Sequence, residues 1–182
     1  MREEQYENGG NRAHDRQAIL DLIDGNNLTV HFQPIFSASD GRVYGYEALT
    51  RMKQSSPFAS ISELFQKAKQ TETISSLDVH CRENAISQAV AQGVQDRGAF
   101  LFINICRETL VDSAHRDGLT DECVERWGFK KERIILEITE ESAIEKFTIF
   151  KRAVDYHRKK GYKIAIDDFG AGYGGMKMLS II

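Results

Sequence analysis

Four positions along this 182-residue chain carry side-chain oxygens where apolar runs end: Glu47, Asn104, Glu137 and the pair Asp167-Asp168. Carboxylate and amide oxygens, without thiolate or much imidazole, suit hard divalent cations such as Mg²⁺ and Mn²⁺. Two adjacent carboxylates can bridge and flank two such ions, a geometry that stabilises the attacking and leaving oxygens of phosphodiester cleavage. In an extended strand Asp167 and Asp168 point to opposite faces. Both serve one site only if the chain bends there, and Phe169-Gly170-Ala171-Gly172 supplies a bend. The plainer alternative is an N-cap pair for the next helix. A single carboxylate at a strand end is ordinarily a cap or a solvated residue, whereas four oxygen-bearing positions at matching strand ends form a pattern. The run DFGAGYGG also resembles a phosphate-cradling loop, but it lacks the Gly-Lys-Ser/Thr ending of a P-loop.

The elements that must position these residues follow from spacing. Asn104 to Glu137 is 33 residues and Glu137 to Asp167 is 30, each the length of one strand-helix unit. Strands are predicted at Ala99 to Ile105, Arg133 to Thr139 and Tyr162 to Asp168, with helices around Asp121 to Trp127 and over Ala143 to Lys160. The runs FLFINI, RIILEI and KIAI are continuously apolar, as in parallel strands covered on both faces. Ligands of α/β barrels and open α/β sheets bind at the C-terminal strand ends, where the oxygens fall. Upstream, runs at Leu28 to Phe36 and Arg42 to Leu49 are joined by Ser37-Ala38-Ser39-Asp40-Gly41, which predicts an antiparallel hairpin. Helical spacing covers Ile61 to Lys69 and Ile74 to about Gln92. Residues 1 to 12 are polar with a Gly9-Gly10 pair and read as a leader or linker, followed by a helix over 13–24 that turns Ile19, Leu20, Leu22 and Ile23 inward. The fold class is α/β, with about five strands where an eight-stranded barrel needs about 250 residues. An open five-stranded sheet is one solution. A partial barrel ending in the apolar Leu179-Ser180-Ile181-Ile182 is the other, its edge completed elsewhere or paired with another molecule.

Composition narrows the function classes. With 41% hydrophobic residues, 28% charged and two prolines, the chain can bury a core. A net charge of -3 gives no general electrostatic reason to bind DNA. No apolar run approaches the roughly 20 residues of a membrane helix, and the N-terminus has no apolar signal region. Cys81, Cys106 and Cys123 lack CxxC spacing and predict reduced thiols of a cytoplasmic chain. His14, His31, His80, His115 and His157 form no ligand-spaced pair.

At this point the residues match a family. HFQPI at 31–35, GYEALTR at 45–51, FINIC at 102–106, LEITE at 136–140 and IDDFGAGYGGM at 166–176 resemble the EAL domain, the bacterial cyclic di-GMP phosphodiesterase module of second-messenger signalling. The resemblance implies a modified TIM-like (β/α) barrel with an antiparallel first strand, 13–182 being the N-terminal portion of that domain. It implies a hydrolase using two Mg²⁺ or Mn²⁺ ions to cut cyclic di-GMP to the linear dinucleotide pGpG. Position by position, Glu47, Asn104, Glu137 and Asp167 would hold the first metal, with Asp167 bridging and Asp168 helping to hold the second. Glu140 would steady the loop Phe169 to Gly174, which in this family couples metal and substrate binding to dimerisation. Gln33, Leu49 and Arg51 would contact the ligand, Arg51 at a phosphate, a task its planar fork suits.

The departures are Cys106 where serine is common, Thr50 where leucine is frequent, and Gly174-Gly175 in place of a serine pair. The family's catalytic lysine and later glutamates would lie beyond Ile182, so the chain is expected to be an incomplete domain. Two other readings stand beside this one: a non-catalytic cyclic di-GMP receptor or dimerisation module, and an unrelated α/β protein with a structural metal. A homodimer and a preceding sensory or diguanylate-cyclase domain are the partners expected.

Overall fold

The computed structural model describes residues 2–53, 56–111, 118–139 and 147–168. Its first strands are a hairpin, β1 (Leu28–Phe36) and β2 (Val43–Met52), paired antiparallel. The turn between them closes through Ser37 N–H on the Arg42 carbonyl at 2.8 Å, with Gly41 at φ 68° and Asp40 Oδ1 accepting from Arg42 N–H. Such a left-handed position is where glycine carries no Cβ penalty. Three further strands follow, β3 (Phe100–Asn104), β4 (Ile134–Thr139) and β5 (Lys163–Asp167). They join in parallel, giving one sheet in the order β1-β2-β3-β4-β5. The antiparallel first strand is as expected, and the architecture is α/β.

Six α-helices and one 3-10 turn, Lys131–Arg133, accompany the sheet among the described residues. The α-helices are α1 (Arg2–Asp24), α2 (Ile61–Gln70), α3 (Ile74–Ala91), α4 (Arg107–Val111), α5 (Leu119–Trp127) and α6 (Phe147–Lys159). α1 starts at Arg2, whereas the polar leader predicted an irregular segment up to about residue 12. Helix propagation is inexpensive once a nucleus exists, and Ile19 and Leu22 dock such a nucleus against α2 and α3. The short α4 was not foreseen, because five residues are too few for a helical period to show.

Side-chain alternation sorts the sheet into two faces. Val30, Ala48, Leu101, Ile103, Ile134 and Leu136 point to one side and pack on Ala85, Ile86 and Ala89 of α3 and on Cys123 and Val124 of α5. The register pairs Glu47 with Phe102, Asn104 with Glu137 and Thr139 with Asp167, so these residues share the opposite face. There Phe102 and Ile135 are also buried, in agreement with their continuously apolar strands. Gly45 makes room for Phe102: a Cβ at Gly45 would come within 2.6 Å of the Phe102 ring and 2.8 Å of the Phe100 carbonyl.

A polar knot ties the parallel half together from outside. Asp121 on α5 accepts from the Tyr162 hydroxyl at 2.8 Å and pairs with Lys131 at 3.0 Å and Lys160 at 3.2 Å. Burial pushes the Asp121 carboxyl up, but these three donors outweigh it and hold it below its ordinary range. The knot fixes the chain just before β4 and β5, upstream of Glu137 and Asp167.

Candidate active site

β2, β3 and β4 each place one oxygen-bearing side chain on the common face. Asn104 ends β3 and Glu137 lies two residues before the end of β4. Glu47, expected at a strand end, instead sits midway along β2, which runs on to Met52. Glu47 Oε1 accepts from Asn104 Nδ2 at 3.1 Å, so the amide of β3 is already turned to the carboxylate of β2. Glu137 is the register partner of Asn104, and its Oε2 is buried with no hydrogen-bond partner among the described residues. Burial raises the Glu137 carboxyl to about 7, and the negative charges of Glu47 and Asp167 push the same way. Glu47 of β2 and Asp167 of β5 therefore both bear on Glu137 of β4.

The chain bends at Asp167-Asp168, where β5 ends. Asp168 takes φ 54°, in the left-handed region, and its N–H donates to Asp167 Oδ1 at 2.9 Å. Asp167 stays in the strand beside Thr139, half-buried, while Asp168 is exposed where the strand ends. Few residues other than glycine accept this conformation, and aspartate is one that does.

The remaining expected residues are distributed along β1 and β2. Gln33 pairs with Glu47, and Leu49 with His31, which sets both on the face of Glu47. Arg51 lies two residues further along the same face, and its Nη1 donates to the carbonyl of Thr50 at 2.9 Å. Glu140 and the loop Phe169 to Gly174 lie outside the described residues.

Sequence reasoning did not pick out Asp78 and Arg82 of α3. They line a cavity of about 320 Å³ on the helix side that also reaches Asn104, Cys106 and Thr139. The signal was present: a carboxylate and a guanidinium four residues apart interrupt the apolar stripe of a helix.

Among the described residues no three His, Cys, Asp or Glu side chains stand in metal-coordinating geometry. The fit to a cation rests on the donors. Glu137 Oε2 is a buried acceptor without a donor among the described residues, and the negative charges of Glu47 and Asp167 bear on it. A divalent ion would satisfy that oxygen and favour the ionised form. The all-oxygen set matches Mg²⁺ or Mn²⁺.

Among the described residues no helix is long and apolar enough to cross a membrane. Comparison with known proteins identifies the family. A signalling protein of uncharacterised function from Caulobacter vibrioides is 33% identical over 174 residues, covering 93% of this chain and 20% of the relative. The probable cyclic di-GMP phosphodiesterase PdeB of Escherichia coli is 27% identical over 166 residues, covering 88% of this chain and 31% of PdeB. Klebsiella pneumoniae BlrP1, solved in complex with calcium and cyclic di-GMP, superposes with a TM-score of 0.75 at 27% identity, covering 87% of this chain and 39% of BlrP1. The chain thus spans about a fifth to two fifths of the length of the curated relatives it matches. The sequence model of the EAL domain matches residues 16–182, and this chain belongs to the EAL domain family.

Proposed function

We propose that this chain is part of a cyclic di-GMP phosphodiesterase domain that hydrolyses one phosphodiester of cyclic di-GMP and yields pGpG. The observation that carries the reading is Glu137: a buried acceptor without a donor among the described residues, pushed up to about 7 by burial and by the charges of Glu47 and Asp167. In this proposal Glu47, Asn104, Glu137 and Asp167 hold one Mg²⁺ or Mn²⁺, and Asp167 and Asp168 extend the set toward a second. Asn104, through its hydrogen bond, keeps Glu47 oriented with one oxygen toward the site. Bound there, the ions would supply positive charge to phosphoryl oxygens and acidify water. Gln33 and Leu49 face the substrate, and Arg51 offers the guanidinium donors not used on Thr50 to a phosphate. Glu140 steadies the segment after Asp168. Residues 13–182 form the N-terminal portion of the domain, residues 1–12 lead into it, and the module is cytoplasmic and homodimeric, with a sensory or diguanylate-cyclase domain preceding it.

The test is incubation of the chain with cyclic di-GMP and Mn²⁺, following pGpG by chromatography, with Glu47→Ala as the control for contaminating nuclease. Turnover that disappears in the control supports the enzyme. Binding of cyclic di-GMP without turnover makes the chain a receptor, and neither binding nor turnover overturns the reading.

A further inference from the structure

Behind the site, on the helix side of the sheet, two charged side chains are buried that the metal reading leaves unused. Asp78 and Arg82 are 2% and 3% exposed. They pair across one turn of α3, Asp78 Oδ2 to Arg82 Nη2 at 3.0 Å, and Arg82 Nη1 donates to the Thr120 hydroxyl of α5. The second oxygen of Asp78, Oδ1, accepts from the backbone N–H of Cys106 at 3.1 Å.

Cys106 stands two residues after Asn104, at the point where the chain leaves the sheet. Ile105 N–H is still engaged by the ladder, on the Glu137 carbonyl at 3.0 Å. The Cys106 carbonyl already accepts from Thr109 at 3.1 Å and Leu110 at 3.2 Å, the first bonds of α4. The N–H between these two regimes has no backbone acceptor among the described residues, and Asp78 supplies an acceptor from its side chain.

Stability alone is a poor reason for this arrangement. A buried ion pair is roughly neutral, or worse, against a well-packed apolar pair. Arg82 Nε, moreover, has no hydrogen-bond partner among the described residues. An apolar pair would fill the space but offer Cys106 no acceptor. We propose that Asp78 is a positioning residue for the site: it pins the Ile105–Cys106 peptide, and so the end of β3, where the Asn104 side chain meets Glu47. Arg82 in turn holds Asp78 in place. The functional consequence rests on the divalent-cation reading above, whereas the positioning itself does not. Residues that orient ligands in this indirect way change metal affinity about 10- to 100-fold.

The experiment compares two double variants of the full chain, since Asp78→Ala alone strands the Arg82 charge and is expected to fold poorly. Asp78→Leu/Arg82→Met removes both charges and the acceptor. Asp78→Asn/Arg82→Gln removes the charges and keeps an acceptor. Each is read by thermal melting, by the NMR resonances of the Asn104 side-chain amide without metal, and by Mn²⁺ affinity. The apolar variant is expected to melt near wild type, to shift the Asn104 amide and to bind Mn²⁺ about 10- to 100-fold more weakly. The polar variant is expected to recover most of that affinity. An apolar variant with wild-type Asn104 resonances and wild-type affinity overturns the proposal, as does a loss of affinity explained wholly by its unfolded fraction. If the wild-type chain itself ignores Mn²⁺, the metal reading is what fails, and the Asn104 resonances alone decide the positioning.

Discussion

The face of the sheet that carries the site is built in opposite ways at its two ends. At the N-terminal end the Phe100 ring lies 4.9 Å from the Tyr44 ring, with Lys163 Nζ 4.1 Å and Arg133 Cζ 5.1 Å from its centre. Each cation meets the negative face of the ring, and Arg133 also donates to the Gly98 carbonyl at 2.6 Å. At the C-terminal end, four residues further along β3 and about 13 Å away by strand rise, carboxylates gather and Glu137 keeps an unmet oxygen. The first end satisfies itself and contributes to stability. The second crowds carboxylates around Glu137, which costs stability and, on the proposed function, is what a cation would relieve. On that proposal, two ends of the same strands divide folding from function.

Substitutions at the two ends should separate accordingly. The largest effect is expected from Glu47→Ala, which should weaken Mn²⁺ binding by more than about 100-fold, some 2.7 kcal/mol, in a calorimetric titration. Its melting temperature should hold or rise, because one charge bearing on Glu137 is gone. Unchanged Mn²⁺ affinity would remove Glu47 from the ligand set.

Next comes the pH dependence of the metal-free chain. Glu137 lies at about 7 in the folded protein against an ordinary value of 4.5, so the folded state keeps a proton that the unfolded chain releases. Its contribution is fully present below about 4.5 and is lost as pH rises through about 7. Denaturant titrations across that window should show wild type losing on the order of 2 kcal/mol relative to Glu137→Gln. Millimolar Mn²⁺ should return the loss at neutral pH. Parallel curves for the two proteins would contradict the crowding of charge at this end.

Effects at the other end are smaller and of the other kind. Phe100→Leu removes the ring from both cations and from Tyr44 and should cost about 1 kcal/mol of stability, with Mn²⁺ affinity untouched. Lys163→Gln, which removes one exposed cation, should cost about 0.5 kcal/mol by the same measurement. A change in metal affinity in either variant would show that the two ends are coupled through the strands.

Much of this division was legible before any coordinates. Continuously apolar runs and the 33- and 30-residue spacing placed Asn104, Glu137 and Asp167 toward the C-terminal ends of their strands, and the short Ser37–Gly41 joint implied the antiparallel hairpin. Less legible was whatever depends on contacts between distant residues. The polar leader gave no sign that α1 would begin at Arg2, because its helicity is propagated from a docked segment downstream. Asp78 was passed over because a charge on a helix is ordinarily solvated, and only packing against β3 shows it buried against the Cys106 N–H.

The residue pattern alone determined the α/β architecture, the ends of the strands and the oxygen chemistry collected there, since periodicity and turn preference act between near neighbours in the chain. Tertiary structure decided which of those oxygens meet. Asn104 reaches Glu47 across 57 residues because the register of β2, β3 and β4 is set by ladder hydrogen bonds and by a core that fills one face. Asp168 turns through the left-handed region at the end of β5. Glu137 Oε2 has no donor among the described residues, because the amide of Asn104, its register partner, is turned to Glu47 instead. A sequence names the groups, but a pairing distance depends on how elements far apart in the chain pack against one another.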